Sequence, residues 1–474
     1  MRVSSAWMLL VGASLRVTAF SAPSQQQWKP KIASLEDRTA LRRPQNDSER
    51  IGTIGFHHVE FYCGDAKSMA NRFSLGLGMR ITGSTGQHTG NDQCVSYGLE
   101  SENVRFLLTA PYSIDISSKR SLKNTKNEDD APSDAPDPLP GFSAPHAHSF
   151  FAKHGLAARA VALEVVDADA AFQASVANGA KPVLEPTFIA ACSGQKEKAG
   201  TEIDGCRIAE VELYGDVVLR YLSFPTRNQR GKLPFLPHLS PVEGKMAERE
   251  TFGLQRFDHA VGNVPNLYEA LTHIQKFTGF HEFAEFTPED VGTVESGLNS
   301  VVLASDSEDV LLPLNEPTQG KRKSQIQTFL EQNEGAGLQH LALKTNDVFE
   351  TVSSIRDAAE CYGGFELMKR PSDEYYKELP SRLGDKLTDE QYSKLEELGI
   401  LADADDEGIL LQIFTKPIGD RPTFFFEIIQ RVGCRFKPEG EDTEMERPGC
   451  GGFGRGNFRE LFKAIEEHER TLKV

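Results

Sequence analysis

The sequence predicts an α+β protein made of two similar halves, each with a sheet that curls around a cavity. Three apolar segments of the first half recur in the same order in the second. The matched pairs are residues 56–61 with 257–261, 158–163 with 338–343, and 217–222 with 425–429. A helical pattern follows the second pair in each half, at residues 169–179 and 348–359. A duplicated unit of strand, helix and several strands is typical of paired α+β modules.

The domain boundaries follow from length and from proline-bearing polar stretches. The chain has 474 residues, which is enough for two or three domains at roughly 150 residues each. A polar stretch with three prolines, Pro234, Pro237 and Pro241, separates the two halves. We therefore predict modules at residues 51–225 and 253–474, joined by a linker at 226–252.

Composition excludes several classes of function. The net charge of −17 argues against nucleic-acid binding, which needs a concentrated basic surface. No apolar run reaches the ~18 residues of a membrane-spanning helix, so no membrane partner is expected. The 7 cysteines are scattered, with no C-x-x-C pair. This spacing predicts a reduced protein without a structural zinc site or disulfides.

The first 50 residues predict a targeting presequence and are left out of the fold. An early Arg2 precedes an apolar segment at residues 6–15, and Phe20 follows a small residue, Ala19. This order resembles the bipartite presequences of algae with secondary plastids, which predicts plastid localisation. A mitochondrial presequence and a disordered tail on a cytoplasmic protein are the alternatives.

Three equivalent positions of the repeat differ in their chemistry. In the second half they are His259, His340 and Glu427, and in the first half they are His58, Ala160 and Arg220. Alanine has no ligand atom and arginine keeps its proton, so only the second half can bind a metal through these positions. Two histidines and one carboxylate leave coordination sites open, which suits non-haem Fe(II) and O2. We predict that the second half is catalytic and the first is structural.

Glu427 is the strongest single indication of the metal site. It interrupts the apolar strand Thr423–Ile429, where an unpaired carboxylate would cost several kcal/mol. A single buried histidine is more often a hydrogen-bonded core residue than a ligand, so the case rests on the three residues together.

Strand alternation predicts further residues of the same cavity, because residues i and i+2 of a strand share a face. The candidates offer hydroxyl and amide groups together with phenyl rings, which suits a planar aromatic ligand with a polar end. They are Ser300, Pro313, Asn315, Gln412, Phe414 and Phe425. Ordinary strand packing is the alternative for each one alone.

The C-terminal end predicts a gate. The glycine-rich segment, residues 451–458, precedes an amphipathic helical pattern that ends at Leu472. It lacks the G-x-G-x-x-G pattern of a phosphate-binding loop. We expect a hinge followed by a gating helix, residues 457–472, that closes the cavity. A terminal helix that merely docks on the sheet is the alternative.

At these residues the sequence resembles the 4-hydroxyphenylpyruvate dioxygenases, especially the plant and algal ones. The matching stretches include FDHAVGNV (257–264), LLPLNEP (311–317), NEGAGLQHLAL (333–343), GDRPTFFFEIIQRVGC (419–434) and GGFGRGNFRELFKAIEE (451–467). The resemblance covers nearly everything after residue 50, is poor in the acidic loop 117–140, and is absent from the presequence.

The resemblance implies two tandem vicinal-oxygen-chelate modules of βαβββ type, forming open barrels, with Fe(II) bound in the C-terminal one. It implies that His259, His340 and Glu427 are the ligands. The substrates would be 4-hydroxyphenylpyruvate and O2, and the products homogentisate and CO2. The family assembles as homodimers or homotetramers, of which we expect the homodimer. The resemblance also implies substrate-binding residues, two of which, Asn457 and Phe458, belong to the gate. The implied catalytic residues are Ser300, Asn315, Gln325 and Gln412. The implied pocket residues are Ser300, Asn315, Gln325, Gln339, Gln412, Phe414, Phe425, Asn457 and Phe458.

Three other functions stay open from the sequence. A 4-hydroxymandelate synthase would share fold, iron and substrate but hydroxylate the benzylic carbon. A metal-free member of the superfamily would bind a ligand without catalysis. A glyoxalase-like isomerase would distribute its metal ligands differently and would need no aromatic clamp.

Overall fold

The computed structural model describes residues 48–113, 138–190, 205–224, 235–287, 297–436, 445–446 and 448–472. Most of the predicted presequence, much of the acidic loop and part of the linker therefore lie outside the described residues. The described chain forms two large mixed sheets flanked by helices, which confirms the predicted α+β class.

The first sheet has nine strands in the order β6-β7-β8-β5-β1-β4-β3-β2-β9. In chain order these strands are β1 (Thr53–Tyr62), β2 (Arg80–Thr85), β3 (Cys94–Ser101), β4 (Val104–Pro111), β5 (Ala157–Val165), β6 (Pro182–Ala190), β7 (Gly205–Tyr214), β8 (Val217–Ser223) and β9 (Ser240–Pro241). Strand β1 pairs in parallel with β4 and antiparallel with β5.

The second sheet has eight strands in the order β11-β12-β13-β10-β14-β17-β16-β15. They are β10 (Leu254–Asn263), β11 (His281–Phe286), β12 (Leu298–Ala304), β13 (Leu311–Pro317), β14 (Gly337–Thr345), β15 (Leu401–Ala404), β16 (Ile409–Phe414) and β17 (Phe425–Val432). Strand for strand this is the topology of the first sheet without β9, so the sequence repeat is a repeat of the fold.

Helices lie between the strands in both halves, and some of them correspond from one half to the other. In chain order they are α1 (Ala66–Leu77), α2 (Ala144–His154), α3 (Ala168–Ala177), α4 (Lys245–Glu248), α5 (Leu267–Thr278), α6 (Gln325–Gln332), α7 (Val348–Tyr362), α8 (Asp373–Leu383), α9 (Asp389–Leu398) and α10 (Phe458–Leu472). Helix α3 ends two residues before its predicted end, and α7 runs three residues beyond its own.

The same capping chemistry begins the four repeated helices. The side chains of Asp65, Asp167, Asn266 and Asp347 each accept a hydrogen bond from a backbone N–H in the first turn of α1, α3, α5 and α7. Such caps satisfy N–H groups that the helix itself leaves unpaired. The caps fix where each helix leaves its strand, and thereby the position of the sheet that carries the site.

A shared aromatic core joins the two halves. Phe61 packs edge-to-face on Phe424 with ring centroids 5.0 Å apart, and Phe106 lies 5.6 Å from Phe257. Phe73 lies 5.7 Å from Phe426. Edge-to-face pairs add stability beyond the apolar area that they bury. The first half thus supports the strands of the second from behind.

The prediction of a protein without disulfides is wrong at one pair. Cys434 and Cys450 form a disulfide across a separation of 16 residues. A short two-stranded sheet of β18 (Arg435–Phe436) and β19 (Met445–Glu446) turns the chain back between them. The spacing of the cysteines does not predict this disulfide, because the pairing of β18 with β19, and not a C-x-x-C motif, brings the two sulfurs together.

None of the described helices is long and apolar enough to cross a lipid bilayer.

Candidate metal centre and cavity

Three adjacent strands of the second sheet carry the predicted metal ligands. His259 on β10 pairs with Ala342 on β14, and Ala342 pairs with Glu427 on β17. His340 lies two residues from Ala342 on β14 and therefore on the same face. A register shift in β10 between Phe257 and His259 allows Phe257 to enter the aromatic core while His259 faces the cavity.

The three side chains converge on one point. Their ligand atoms all lie within 4.8 Å of one another, and all three residues are buried. Glu427 Oε2 lies 3.1 Å from His259 Nε2 and 3.4 Å from His340 Nε2. The sequence prediction therefore named side chains that the fold brings together.

Both imidazoles are held from behind by acceptors. His259 Nδ1 donates to Asp258 Oδ2 at 2.9 Å, and His340 Nδ1 donates to Gln339 Oε1 at 2.9 Å. Because these oxygens only accept, each Nδ1 carries a proton, which leaves Nε2 as the ring atom that faces the centre. This is the tautomer that a metal-binding histidine needs.

The electrostatics of the cluster favour a positive charge at its centre. Burial opposes ionisation of Glu427, but its contacts with the imidazoles of His259 and His340 lower its pKa to about 2. Burial likewise opposes a charged His259, yet its bonds to Asp258 and Glu427 raise its pKa to about 9. Burial keeps the pKa of His340 below its ordinary value. A proton on His259 thus occupies the place that a cation would fill.

The first half fills the equivalent point with an arginine. His58 pairs with Ala162, and Ala162 pairs with Arg220, in the same register as His259, Ala342 and Glu427. Arg220 Nη1 lies 2.9 Å from His58 Nε2, and the guanidinium forms ion pairs with Glu60 and Glu210 at 2.6 and 2.7 Å. Burial disfavours the charge on Arg220, but the two carboxylates stabilise it and raise its pKa above the ordinary value. A fixed organic cation therefore stands where the second half can bind a metal.

The triad opens into a partly open cavity, where about 570 Å³ of atom-free space includes the solvent at its mouth. Most of the predicted pocket residues line it, and they reach it from β12, β13, β14, β16, β17 and α6. They are Ser300, Pro313, Asn315, Gln325, Gln339, Gln412, Phe414 and Phe425. The lining combines a few amide and hydroxyl groups with phenyl rings, as the strand alternation predicts.

Aromatic rings flank the histidine at the cavity wall. The Phe425 ring stacks on His340 with centroids 4.9 Å apart and planes at 20°. Phe414 lies 6.1 Å from Phe425, edge to face. The two rings form a corner against which a flat ligand can pack next to the metal site.

The amides have unequal roles. Asn315 Nδ2 donates to Asn263 Oδ1 at 3.2 Å and to Gln339 Oε1 at 3.4 Å, so Gln339 belongs to a chain of amides that orients His340. Gln412 Oε1, by contrast, is buried with no hydrogen-bond partner among the described residues. An unsatisfied buried carbonyl oxygen at a cavity wall is a site for a ligand donor.

Two of the predicted gate residues are placed differently from the rest. Asn457 is not part of the cavity lining; it is fully buried and accepts a hydrogen bond from the Tyr375 hydroxyl at 2.7 Å. The backbone N–H of Gly456 donates to Asp403 Oδ2 at 2.7 Å. Asn457 therefore anchors the start of α10. Phe458 begins α10, but its side chain lies outside the described residues.

The sequence reasoning missed part of the apolar lining. Phe453 lies 5.4 Å from the His259 ring, edge to face, and comes from the hinge turn, which we define as residues 449–454. Helix α10 contributes Leu461, Phe462 and Ile465, the apolar stripe that its periodicity indicates. The remaining unpredicted lining residues are Val261, Phe286, Leu298 and Val302. An aromatic inside a glycine run was the available signal for Phe453.

Comparison with known proteins gives the same picture. Residues 256–412 match the family model of the Glyoxalase/Bleomycin resistance protein/Dioxygenase superfamily. The chain is 52% identical over 434 residues to 4-hydroxyphenylpyruvate dioxygenase of Arabidopsis thaliana, covering 91% of each chain. It is 52% identical to the enzyme of the same name from Daucus carota, again over 91% of each chain. The Hordeum vulgare enzyme is 49% identical, over 90% of each chain.

Solved structures share the fold at low identity. A triple mutant of 4-hydroxymandelate synthase from Streptomyces coelicolor superposes with a TM-score of 0.65 at 21% identity, covering 88% of this chain and 100% of that one. A xylose isomerase-like TIM barrel/4-hydroxyphenylpyruvate dioxygenase fusion protein gives a TM-score of 0.59 at 21% identity, covering 91% of this chain and 56% of that one. These likenesses support the tandem fold alone.

Proposed function

Since the chain belongs to the 4-hydroxyphenylpyruvate dioxygenase family, we propose that it converts 4-hydroxyphenylpyruvate and O2 into homogentisate and CO2 at an Fe(II) centre in its second half. The observation that carries the proposal is the convergence of His259 Nε2, His340 Nε2 and a Glu427 oxygen on one point of a buried cavity.

The donor set fits a divalent metal. Two neutral imidazoles and one carboxylate leave three coordination positions free, which is the pattern of non-haem Fe(II) oxygenases. The two Nε2 atoms and the carboxylate face one another inside a buried space, and a cation would replace the proton that His259 otherwise holds. When bound, Fe(II) would supply the redox chemistry that joins O2 to the keto acid.

The chain's own residues bind and orient the substrate. Phe414 and Phe425 pack on the ring, and the free Gln412 carbonyl accepts a hydrogen bond from the phenol hydroxyl. Ser300 and Gln325 add polar contacts from β12 and α6. These contacts hold the ring in one orientation, and orientation accounts for much of the rate enhancement in such sites.

The C-terminal segment excludes water. Phe453 of the hinge turn and Leu461 and Phe462 of α10 cover the cavity with apolar side chains. A dry site protects a reactive oxidation from hydrolysis and side reactions. Helix α10 is thus the element whose movement would admit the substrate and release the product.

Product analysis tests the proposal against its rivals. The full-length chain, loaded anaerobically with Fe(II), receives 4-hydroxyphenylpyruvate and then O2. We expect homogentisate and an equal amount of CO2. 4-Hydroxymandelate as the product would assign the chain to benzylic hydroxylation. Binding of the keto acid without O2 consumption would make it a binding protein.

We further propose a homodimer and plastid localisation, with no nucleic-acid or membrane partner. The dimer is supported by the family resemblance, and the localisation by the signal-like segment with Phe20 after Ala19. Light scattering of the purified chain tests the first. A fusion of residues 1–50 to a fluorescent protein tests the second: plastid import supports it, and mitochondrial or cytoplasmic fluorescence contradicts it.

A further inference from the structure

A buried arginine behind the metal site contacts two features that the proposed function needs together. Arg431 lies on β17, four residues after Glu427 and on the same face. Its side chain is 0% exposed. Burying a guanidinium costs free energy of folding unless carboxylates and carbonyls accept hydrogen bonds from it. The partners of Arg431 therefore indicate which parts of the site it positions.

The first partner is the residue that orients His259. Arg431 Nε donates to Asp258 Oδ1 at 3.0 Å, and Nη2 donates to Asp258 Oδ2 at 2.6 Å. This two-pronged pairing fixes the plane of the carboxylate. Asp258 Oδ2 also accepts from His259 Nδ1, so Arg431 sets the direction in which His259 presents its lone pair.

The second partner is the hinge turn. Arg431 Nη1 donates to the carbonyl oxygens of Cys450 and Gly452, the latter at 2.8 Å. The guanidinium carbon also lies 5.9 Å from the centre of the Phe453 ring. The Cys434–Cys450 disulfide ties the same turn to the end of β17. One side chain therefore holds both a metal ligand and the backbone that presents Phe453 to the cavity.

The two halves of the fold provide an internal comparison. The residues equivalent to Asp258 and Arg431 in the first half are His57 and Phe224, by count from His58 and Arg220. Their rings stack, with centroids 5.4 Å apart. The carboxylate–guanidinium pair thus occurs in the half with the metal triad, while the half with a buried arginine at that point has an aromatic stack.

We propose that Arg431 is a positioning residue that couples the metal centre to the gate, holding His259 through Asp258 and the hinge turn through two carbonyls. The inference rests on the proposed function, because it assigns Arg431 a role at that same centre. Loss of Arg431 would therefore disturb metal affinity and the order of the hinge turn together.

The test uses Co(II), followed by its visible absorption, and hydrogen exchange of the amides of Gly452, Gly456 and Asn457. In the full-length chain we expect Arg431→Met to lower Co(II) affinity roughly 10- to 100-fold, the usual cost of losing a partner of a metal ligand. We also expect faster exchange at the three amides. Those of Gly452 and Asn457 donate to carbonyls within the hinge turn, and that of Gly456 donates to Asp403 on β15.

Two further variants separate this role from general destabilisation. Arg431→Lys keeps a charge for Asp258 but lacks a fork that reaches both partners, so it recovers part of the Co(II) affinity and leaves the exchange fast. Arg256→Met is the matched control. Arg256 approaches Asp258 Oδ1 at 3.6 Å from the more exposed side and pairs with Glu446 at 3.1 Å. We expect this variant to leave both readouts unchanged.

The outcomes are distinguishable. If the unmodified chain binds no Co(II), the proposed function fails. If it binds Co(II) and Arg431→Met changes neither the affinity nor the exchange, or only one of them, the coupling is refuted. Equal effects of Arg256→Met would also refute it, because any cation near Asp258 would then suffice.

Discussion

A methyl group added at Gly454 tests whether the hinge turn controls the substrate cavity. Gly454 has a φ of +72°, and a Cβ there would come closest to Gln412 Oε1 and lie 2.6 Å from Gln412 Nε2. Gln412 is 2% exposed, so its amide would have to rotate away from the added methyl. In Gly454→Ala the cavity would therefore lose the carbonyl that we assign to the substrate hydroxyl.

Gly454→Ala should lower both the stability of the protein and its kcat/KM, for separate reasons. A left-handed backbone costs an alanine roughly 1 kcal/mol of stability. Loss of one neutral hydrogen bond costs about 0.5–1.5 kcal/mol, which corresponds to a decrease of about 2- to 10-fold in kcat/KM. Steady-state assays with 4-hydroxyphenylpyruvate measure the loss of kcat/KM, and urea unfolding measures the loss of stability.

Gly452 supplies the matched control. It also has a φ of +72°, but an added Cβ would find its nearest neighbour, Asp405 Oδ2, at 3.9 Å. Gly452→Ala should therefore lose similar stability and keep kcat/KM. In a Gln412→Ala background, Gly454→Ala should cost no further kcat/KM, since coupled residues are non-additive. An equal loss in both glycine variants, or a loss that persists without Gln412, would refute the reasoning.

Three other changes have defined outcomes. Glu427→Gln removes the only charged ligand of the proposed set and should weaken Fe(II) binding by more than about 100-fold in a chelator competition; binding within 10-fold of the unmodified chain would exclude Glu427 as a ligand. Arg220→Met leaves Glu60 and Glu210 buried without their cation, so urea unfolding should show a loss of about 3–5 kcal/mol, and a loss below ~1 kcal/mol would contradict that account. Burial lowers the pKa of His238 from 6.5 to about 3, so the unfolded chain binds a proton that the folded chain does not, and stability falls as pH drops below 6.5. His238→Leu should remove about 2–3 kcal/mol of that loss near pH 4.5, and an unchanged pH profile of unfolding would reject it.

Strand alternation and the repeat predicted the position of most of the site. Glu427 and Phe425 share a face because β17 is regular between them, and the same parity places Gln412 with Phe414. The repeat identified the half with the triad because the residue equivalent to Glu427 in the first half is Arg220, which cannot be a metal ligand. Both inferences use local geometry that a sequence carries directly.

The rest depended on contacts between distant segments. The register shift beside His259 turns Phe257 to the other face of β10. Strand alternation in the sequence places the two residues on the same face and so does not predict this. The disulfide arises because the antiparallel pairing of β18 with β19 brings Cys434 and Cys450 together. Arg431 stands at the end of an apolar strand in the sequence, and only the fold shows that it pairs with Asp258. Asn457 stays a predicted substrate contact, and only the fold shows that its amide oxygen accepts a hydrogen bond from Tyr375, far away in sequence.

In the function that we propose, one metal ion in the second half is sufficient for the whole reaction. Homogentisate formation, measured during anaerobic titration of the full-length chain with Fe(II) and after admission of O2, tests it directly. We predict that activity saturates at one Fe(II) per chain and is lost in His340→Ala at every Fe(II) concentration. Saturation at two Fe(II) per chain, or homogentisate formed by His340→Ala at an undiminished rate, would contradict it.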